Sequence, residues 1–325
     1  MILLCGIPSE SPLRLVTDRL EAIGAEFVFL NQRDFAECDL WFEVGDGSTH
    51  SEACAEIRGE LRIHNRTYDL RDFTGIYPRL MDDTQLPELT GEPLNSPLRA
   101  YCRSFHDTLI RWMELAPARV INRCAPMASN SSKPYQAQLI REHGFLVPET
   151  LITNGPELVR AFRAQHGRVI YKSISAVRSI VQELDGQSDE RLDLIRWCPT
   201  QFQAFVEGVN LRVHTIGGEI FPTAIDCDAT DYRYAGRQSG EPAALREVVL
   251  CDELAERCLR LSASLGLELA GIDLKITPAD EVYCFEVNPS PAFSYYESHT
   301  GQAISAGIAR SLMANAPCPL IPAMA

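Results

Sequence analysis

Hydrophobic and polar positions recur along the chain with the periods of both strands and helices, which predicts a mixed α/β protein. The apolar runs "MILLCGI" and "EFVFLN" predict two buried strands, and "SPLRLVTDRLEAIGA" has the periodicity of a helix between them. Acid-rich turns follow, then strand candidates in "GELRIHNR" and "YDLRDFTGIYPRL", a helix over "SPLRAYCRSFHDTLIRWMELA" and a strand at "RVINR". We therefore predict an N-terminal α/β domain over residues 1–123.

The middle of the chain begins with a predicted helix in "SSKPYQAQLIREHG". Ser132 is expected to cap this helix, Pro134 suits its first turn, and Gly144 suits a left-handed end. Strands are predicted in "VPETLITN", "RVIYKSIS" and "PTQFQAFVEG", with the helix "PELVRAFRAQHG" after the first of them. This α+β pattern predicts a central lobe over residues 124–203.

The rest of the chain predicts a second α+β lobe over residues 204–325. It opens with a hairpin in "VNLRVHTIGGEIFPTAIDC" that should turn at Gly217 and Gly218. A helix over residues 251–265, a second hairpin in "LELAGIDLKITPADEVYCFEVNPSP" and a last helix in "GQAISAGIARSLMANA" complete the lobe.

Composition excludes several classes of function. The 325 residues are 46% hydrophobic and 23% charged, as in ordinary globular proteins, and the net charge of −14 argues against nucleic-acid binding. Neither a long apolar run nor a signal peptide is found, so we expect a cytoplasmic protein without membrane contact; a homodimer is left open. The 11 cysteines form no C-x-x-C pair and are expected to be reduced and buried, and the seven histidines lack the spacing of zinc ligands.

Lysine is scarce in this chain. Only three of the 30 lysine and arginine residues are lysines: Lys133, Lys172 and Lys275. The compact ammonium group fits a phosphate oxygen in a tight site where the wide guanidinium of arginine does not. Codon bias would give the same scarcity, and the lysines alone do not separate the two explanations. The position of the last lysine, two residues after Asp273 in the second hairpin, favours a site for a nucleotide and a metal.

The second hairpin carries the residues that favour a metal. If Thr277 faces Val282 across its turn, Asp273 falls opposite Glu286, with about 5 Å between their Cβ atoms. The two carboxylates would repel each other unless a cation or a proton lies between them, so removing one could stabilise the ligand-free protein. Asn288 shares their face, and these three oxygen ligands suit Mg²⁺. The alternatives are a solvated acidic hairpin and a glycosidase-like acid pair, for which no aromatic sugar platform is found.

The order of these features resembles the ATP-grasp superfamily. The segments that carry the resemblance are, in chain order, "SSKPYQAQLIREHGFLVPETLITN", "VIYKS", "QFQAFVEGVNLRVH", "AGIDLK" and "FEVNPSP". Within the superfamily the chain is similar to the branch of the ribosomal-protein glutamate ligase and of the maturases that crosslink graspetide (microviridin-type) peptides. The resemblance implies an ATP-grasp fold with an N-terminal α/β pre-ATP-grasp domain and two α+β lobes that sandwich ATP.

The same resemblance implies ATP and Mg²⁺ as cofactors and roles for individual residues. Arg212 would steady the transferred phosphoryl group, and Arg178, in the glycine-poor flap "SISAVRSIVQEL", would add a second catalytic cation; an ordinary surface position is the alternative for Arg178. The implied nucleotide contacts are Lys133 and Lys172 to the phosphates, the backbone of Ala204 and Phe205 to adenine, and Asn210 to the ribose. The implied Mg²⁺ ligands are Asp273, Glu286 and Asn288.

Three stretches depart from the ligases of the superfamily. Ala204 stands where a Glu is usual and Asn210 where an Asp is common, so the backbone contact to adenine is kept and hydrogen bonding to the ribose is weakened. "DYRYAGRQSG" matches the substrate loop of the glutamate ligases only loosely, which leaves the substrate open.

The implied activity is that of an ATP-dependent carboxylate–amine or carboxylate–hydroxyl ligase that works through an acyl phosphate. We expect a peptide maturase that forms side-chain amide or ester crosslinks in an acidic peptide, with Arg71, Arg79 and Arg233 as candidate contacts to its carboxylates. The alternative within the enzyme class is a ligase that adds free amino acids or joins small molecules, acting on a small carboxylate. Outside that class, the alternative is a nucleotide-binding sensor or scaffold without turnover.

Overall fold

The computed structural model describes residues 1–45, 57–173, 181–186, 191–227 and 243–314, which fold into four β-sheets with helices packed on them. The strands are β1 (Ile2–Gly6), β2 (Phe27–Asn31), β3 (Cys38–Val44), β4 (Ile57–Ile63), β5 (Arg66–Asp69), β6 (Gly75–Arg79), β7 (Arg119–Val120), β8 (Thr150–Thr153), β9 (Val169–Ser173), β10 (Gln182–Glu183), β11 (Thr200–Ala204), β12 (Val209–Ile216), β13 (Glu219–Asp226), β14 (Ala244–Glu247), β15 (Leu269–Ile276) and β16 (Val282–Asn288). The α-helices are α1 (Ser11–Ala22), α2 (Pro97–Leu115), α3 (Cys124–Met127), α4 (Lys133–Glu142), α5 (Pro156–His166), α6 (Asp252–Ser264), α7 (Ser294–Thr300) and α8 (Ile304–Met313).

The N-terminal sheet is parallel, with the strand order β2–β1–β6–β7. All residues of β1 are buried because both faces of the sheet are covered, as is usual for parallel sheets. On one face, Leu4 packs with Leu13 of α1 and Ile308 of α8. On the other face, Leu3 shares a core with Leu109 of α2 and with the antiparallel sheet β3–β4–β5. Helix α8 therefore brings the far end of the described chain onto the N-terminal sheet.

Strand β3 lies where the sequence analysis expected acid-rich turns, and that expectation is wrong. The acids Asp39 and Glu43 are exposed, whereas Leu40 and Phe42 are half-buried against the core. The segment is therefore an amphipathic strand whose acids occupy its solvent face. The segment "YDLRDFTGIYPRL", expected as one strand candidate, forms parts of two strands, β5 and β6, in different sheets.

The central sheet is antiparallel, with the strand order β10–β9–β11–β8. Helix α5 covers one face, where Val159 shares a core with Val169 and Phe202. Because side chains alternate along a strand, Lys172 and Gln201 project from the opposite face, where they are cross-strand partners. The face of the sheet that carries Lys172 and Gln201 is therefore the one not covered by helix α5.

The C-terminal sheet is antiparallel, with the strand order β14–β13–β12–β15–β16. The β12–β13 hairpin turns at Gly217 and Gly218 as predicted, and their φ angles of +54° and +90° require glycine-like freedom at both positions. One face of the sheet packs through Val213 and Leu274 on helix α6. The opposite face carries the polar side chains of the candidate site.

Helix α4 has the predicted Pro134 in its first turn and the predicted left-handed Gly144, with φ of +77°, after its end. Ser132 is the N-cap residue of α4, as predicted, and its carbonyl accepts a hydrogen bond from Gln136 N–H at 2.9 Å, but its hydroxyl makes no capping hydrogen bond. Helix α4 packs on β16, and its Ile140 belongs to the core of the C-terminal sheet. The domain boundaries after residues 123 and 203 stay predictions.

The cysteines in the described ranges are all free thiols. Burial was predicted for them and holds for five, Cys5, Cys38, Cys102, Cys258 and Cys284; Cys227 is half-buried, and Cys124, Cys198 and Cys251 are exposed. Across the same ranges, no helix combines the length and the apolar character needed to cross a membrane.

Candidate active site

Asp273 on β15 and Glu286 on β16 lie directly opposite each other, as the sequence predicts. The expected pairing of Thr277 with Val282 is wrong, however, because Ile276 faces Val282. With that turn, an unbroken ladder would pair Asp273 with the residue before Glu286. One extra residue in β16 removes the offset, so the predicted carboxylate pair is correct although the predicted turn is not.

The extra residue is Phe285, which has no partner on β15 and lies between the pairs made by Cys284 and Glu286. A β-bulge of this kind bends the strand and redirects a side chain, and such bulges are frequent next to active sites. Phe285 lines a cavity of about 280 Å³ between the central and C-terminal sheets, together with Lys133 and Gln203.

Each of the two carboxylates has a cation beside it. Arg212 Nη1 lies 2.7 Å from Asp273 Oδ1, and Lys133 Nζ lies 3.0 Å from Glu286 Oε2. Burial acts to raise the pKa of Glu286, but the ammonium groups of Lys133 and Lys172 outweigh it and the pKa is lowered. Glu286 is therefore held as a carboxylate, and the repulsion expected between the two acids is compensated by protein cations.

Three oxygen donors of the predicted metal site lie side by side. Asn288 follows Glu286 by two residues and so shares its face, and Asn288 Oδ1 accepts a hydrogen bond from Ser290 N–H at 2.9 Å. Among the described residues, no group of three or more His, Cys, Asp or Glu side chains is arranged to hold a metal ion by itself. The chemistry of Asp273, Glu286 and Asn288, two carboxylates and an amide oxygen, fits Mg²⁺ that takes its other ligands from phosphate and water.

The two lysines predicted to hold phosphates come from different elements. Lys133 is the first residue of α4, and its Nζ also donates to Asn130 Oδ1 at 2.7 Å. Lys172 lies half-buried on β9, opposite Gln201, and is near enough to lower the pKa of Glu286. The structure therefore brings both lysines to one carboxylate. Arg178 lies outside the described residues.

Gln136 holds this arrangement together and was not predicted from the sequence. Its Nε2 donates to the carbonyl of Val287 at 2.8 Å, and its Oε1 accepts from the N–H of Val287 at 3.0 Å. The fully buried amide thus satisfies the open edge of β16 between Glu286 and Asn288. Because Lys133 lies one helical turn before Gln136, this contact also fixes Lys133 against Glu286. The sequence feature that could have identified Gln136 is its place, as a polar residue, on the apolar face of a predicted helix.

Arg212 is buried in a pocket made by its neighbours on the sheet. A Cβ atom on Gly271 would come within 2.2 Å of Arg212 Nη2, so the guanidinium lies where only glycine leaves room. Arg212 Nε lies 3.5 Å from His214 Nε2, and the guanidinium carbon lies 5.8 Å from the centre of the Tyr296 ring. Burial, and then the charge of Arg212, lower the pKa of His214, so its neutral imidazole can accept from Arg212. Neither His214 nor Gly271 was predicted from the sequence as a site residue.

The segment between β11 and β12 carries the residues predicted to contact adenine and ribose. Ala204 N–H donates to the carbonyl of Glu149 at 2.9 Å, and Phe205 N–H donates to the carbonyl of Arg168 at 3.0 Å. A ligand contact through the backbone of these two residues would therefore have to use their carbonyl groups. Asn210 lies half-buried near the start of β12, on the same face as Arg212.

Arg79, a candidate contact for acidic substrates, is committed to other partners. Its Nε lies 2.7 Å from both carboxylate oxygens of Glu10, and its Nη1 donates to Ser290 Oγ at 3.2 Å and to the carbonyl of Pro291 at 3.4 Å. The pair ties the carboxyl ends of the parallel strands to the loop after Asn288. A cavity of about 530 Å³ lies at this junction.

Arg71 and Arg233 are the other two candidate contacts for acidic side chains. Arg71 pairs with its neighbour Asp69 on the exposed surface. Arg233 is not among the described residues.

Sequence comparison finds a distant relative. No protein-family model matches the chain. The probable alpha-L-glutamate ligase of Rhodopirellula baltica is 22% identical over 268 residues, which cover 77% of this chain and 59% of that protein. The chain thus spans little more than half the length of this relative.

Solved structures match over nearly the whole chain. A RiPP-associated ATP-grasp ligase of Chryseobacterium gregarium, in complex with ADP and a leader and core peptide, has a TM-score of 0.80 and 22% identity over 98% of this chain and 97% of its own. The macrocyclase MdnC of Microcystis aeruginosa MRC, bound with the precursor peptide MdnA, has a TM-score of 0.75 and 20% identity over 97% and 100%. These likenesses show that the chain shares their fold.

Proposed function

Because the chain has the ATP-grasp fold, we propose that it is an ATP-dependent ligase that joins a carboxylate to an amine or a hydroxyl through an acyl phosphate. The observation that carries this proposal is the convergence of three cations on two opposed carboxylates. Arg212 pairs with Asp273, and Lys133 and Lys172 act on Glu286. The positive charge exceeds what the two acids need, and the surplus suits phosphate groups.

The proposed chemistry has two steps. The substrate carboxylate attacks the γ-phosphorus of ATP and displaces ADP; the amine or hydroxyl then attacks the acyl carbon, phosphate leaves, and the nucleophile loses its proton. Phosphoryl transfer depends mainly on positioning and charge neutralisation, which Lys133 and Lys172 would supply to the phosphates and Arg212 to the transferred group. Arg178 stays a second candidate for the same task.

The remaining predicted contacts belong to the metal and to the nucleoside. Mg²⁺, when held by Asp273, Glu286 and Asn288, would neutralise charge on the phosphate oxygens. Adenine would meet the carbonyl side of the backbone at Ala204 and Phe205, and Asn210 would hydrogen-bond the ribose.

The substrate we propose is a peptide whose acidic side chains are activated in place, with the nucleophile supplied by the same peptide. Support comes from the two similar structures that hold precursor or core peptides. Further support comes from the cavity beside Ser290, whose walls include the apolar side chains of Ile7, Met81 and Met113 and which could receive a peptide residue next to the reacting carboxylate. The glutamate-ligase relative favours the second candidate, addition of a free amino acid.

Intact mass measurement distinguishes these candidates. The protein is incubated with ATP, Mg²⁺ and a short acidic peptide that also carries Ser, Thr or Lys side chains, and ADP release is followed in parallel. Ring closure removes one water per crosslink, whereas addition of an amino acid raises the mass of the peptide. Glu286→Gln is the control, because it should abolish both ADP release and the mass change. Tight ATP binding without turnover on any substrate would instead favour the sensor and contradict the ligase.

A further inference from the structure

Lys275 is the one lysine for which the proposed chemistry has no task. It follows Asp273 by two residues on β15, so its side chain lies on the same polar face of the sheet. Its cross-strand partner on β12 is Asn210, the residue predicted to bind the ribose. Partners in adjacent strands have Cβ atoms about 5 Å apart, so the two side chains are neighbours.

The Lys275 side chain reaches the segment that connects the central and C-terminal sheets. Its Nζ donates to the carbonyl of Val206 at 2.9 Å, two residues after the end of β11. The same Nζ lies 5.1 Å from the centre of the Phe205 ring and 5.8 Å from the centre of the Phe285 ring. The ammonium group therefore lies between the connecting segment and the β-bulge.

This ammonium group is only partly satisfied by the protein. An ammonium carries three N–H donors, and one acceptor, the Val206 carbonyl, is found for it within the described part of the chain. Lys275 is half-buried; burial lowers its pKa, the charge of Arg168 acts in the same direction, and Glu207 opposes them. A partly desolvated cation with donors to spare gains from a ligand that brings hydrogen-bond acceptors.

The position of Lys275 favours the nucleoside and not the phosphates. Lys133, Lys172 and Arg212 gather at Glu286 and Asp273, whereas Lys275 lies about 7 Å further along β15 in the direction of the connecting segment. Its fixed contact with Val206 keeps Nζ at that end. A ribose hydroxyl or a ring nitrogen of the base supplies the neutral acceptors that this location calls for.

We propose that Lys275 is a nucleotide-binding residue that donates to the nucleoside part of the ligand while it holds the carbonyl of Val206. The inference rests on the nucleotide site of the proposed function. It implies that loss of the ammonium group weakens the binding of ATP, ADP and AMP by the same factor, because the nucleoside is common to all three.

Calorimetry with the full-length protein tests this. Dissociation constants for ATP, ADP and AMP are measured for the wild type and for Lys275→Met, which keeps the apolar stem and removes the charge. We expect a loss of about tenfold for each of the three nucleotides. Lys172→Met is the matched comparison, and its loss should be much larger for ATP and ADP than for AMP.

Three results would overturn the assignment. An unchanged affinity of Lys275→Met for all three nucleotides would reduce Lys275 to a support of the connecting segment, and a loss that grows with the number of phosphates would make it a phosphate ligand. A wild-type protein that binds none of the nucleotides would overturn the proposed function as well. If Lys275→Met does not fold, Lys275→Gln, which keeps a donor for Val206, is measured in the same series and judged by the same two patterns.

Discussion

Arg212 on β12 and Asp273 on β15 are cross-strand partners, and the guanidinium of Arg212 donates to the carboxylate of Asp273 at 2.7 Å. The Arg212 side chain is 6% exposed and that of Asp273 is 21% exposed. A buried cation that loses its partner is strongly destabilising. Asp273 therefore has a structural task in the ligand-free protein besides the metal ligation proposed for it.

Asp273→Ala should lower the free energy of unfolding of the ligand-free protein. The sequence suggested the opposite, because it showed the two facing carboxylates but not the cations beside them. We expect a loss of about 2 kcal/mol, less than for a fully buried pair because Asp273 is partly exposed. Urea unfolding measures it, with Glu281→Ala, at the exposed turn of the same hairpin, as the control. A variant as stable as the wild type would contradict the pairing argument.

Lys172→Arg should be nearly as inactive as Lys172→Ala. Lys172 lies half-buried on β9 of the central sheet, opposite Gln201, and its compact ammonium group suits a tight phosphate contact that the wider guanidinium does not fit. Loss of a charge-assisted contact in the transition state would cost roughly 3 kcal/mol, or about a hundredfold in the rate of ADP release. The reverse exchange Arg260→Lys, on the exposed side of α6, should leave the rate unchanged. Activity of Lys172→Arg within a few-fold of the wild type would make codon bias the better account of the scarce lysines.

Gln136→Leu should destabilise the protein and displace Lys133. The substitution leaves the N–H and the carbonyl of Val287 without their partner, at a cost of about 2–4 kcal/mol for two buried groups. Gln138→Leu, an exposed position on the same helix, should be close to neutral. Thermal unfolding with and without ATP and Mg²⁺ measures both effects. If Gln136→Leu melts with the wild type, the amide does not anchor α4 to β16.

The sequence predicted the fold where its pattern was local. The hairpin turn at Gly217 and Gly218 and the start of α4 were predicted correctly, because the residue types at these positions favour few other conformations. Strand β3 was missed because its acids resemble those of a turn, and its strand character depends on pairing with β4 and on the packing of Leu40 and Phe42 against the core. The pairing of Asp273 with Glu286 was predicted correctly, although the bulge at Phe285 was not foreseen.

Individual residues of the candidate site were predicted from the sequence, but most of the contacts between them were not. Lys133 could be predicted from its residue type and position alone. The contact of Gln136 with Val287 could not, because it depends on how helix α4 packs against β16, and no local sequence pattern determines that packing. Arg79 was predicted to contact the substrate because its actual partner, Glu10, lies 69 residues away in the chain and the sequence does not show that the two are close. A cytoplasmic location and a homodimer stay predictions.

The stability of the ligand-free protein should fall as the pH drops below about 6.5, because of His214. Burial and the charge of Arg212 lower the pKa of His214 below its ordinary value of 6.5, so the folded protein keeps the imidazole neutral while the unfolded chain takes up a proton. The contribution is complete above the unfolded pKa and is lost as the pH falls towards the folded pKa, by at most about 1.4 kcal/mol per pH unit. The pKa of Glu286 is also lowered, but from 4.5, so its contribution is lost only at lower pH. Urea unfolding between about pH 7.5 and 5 should therefore give a steeper slope for the wild type than for His214→Gln, and parallel curves for the two proteins would show that His214 is not the group responsible.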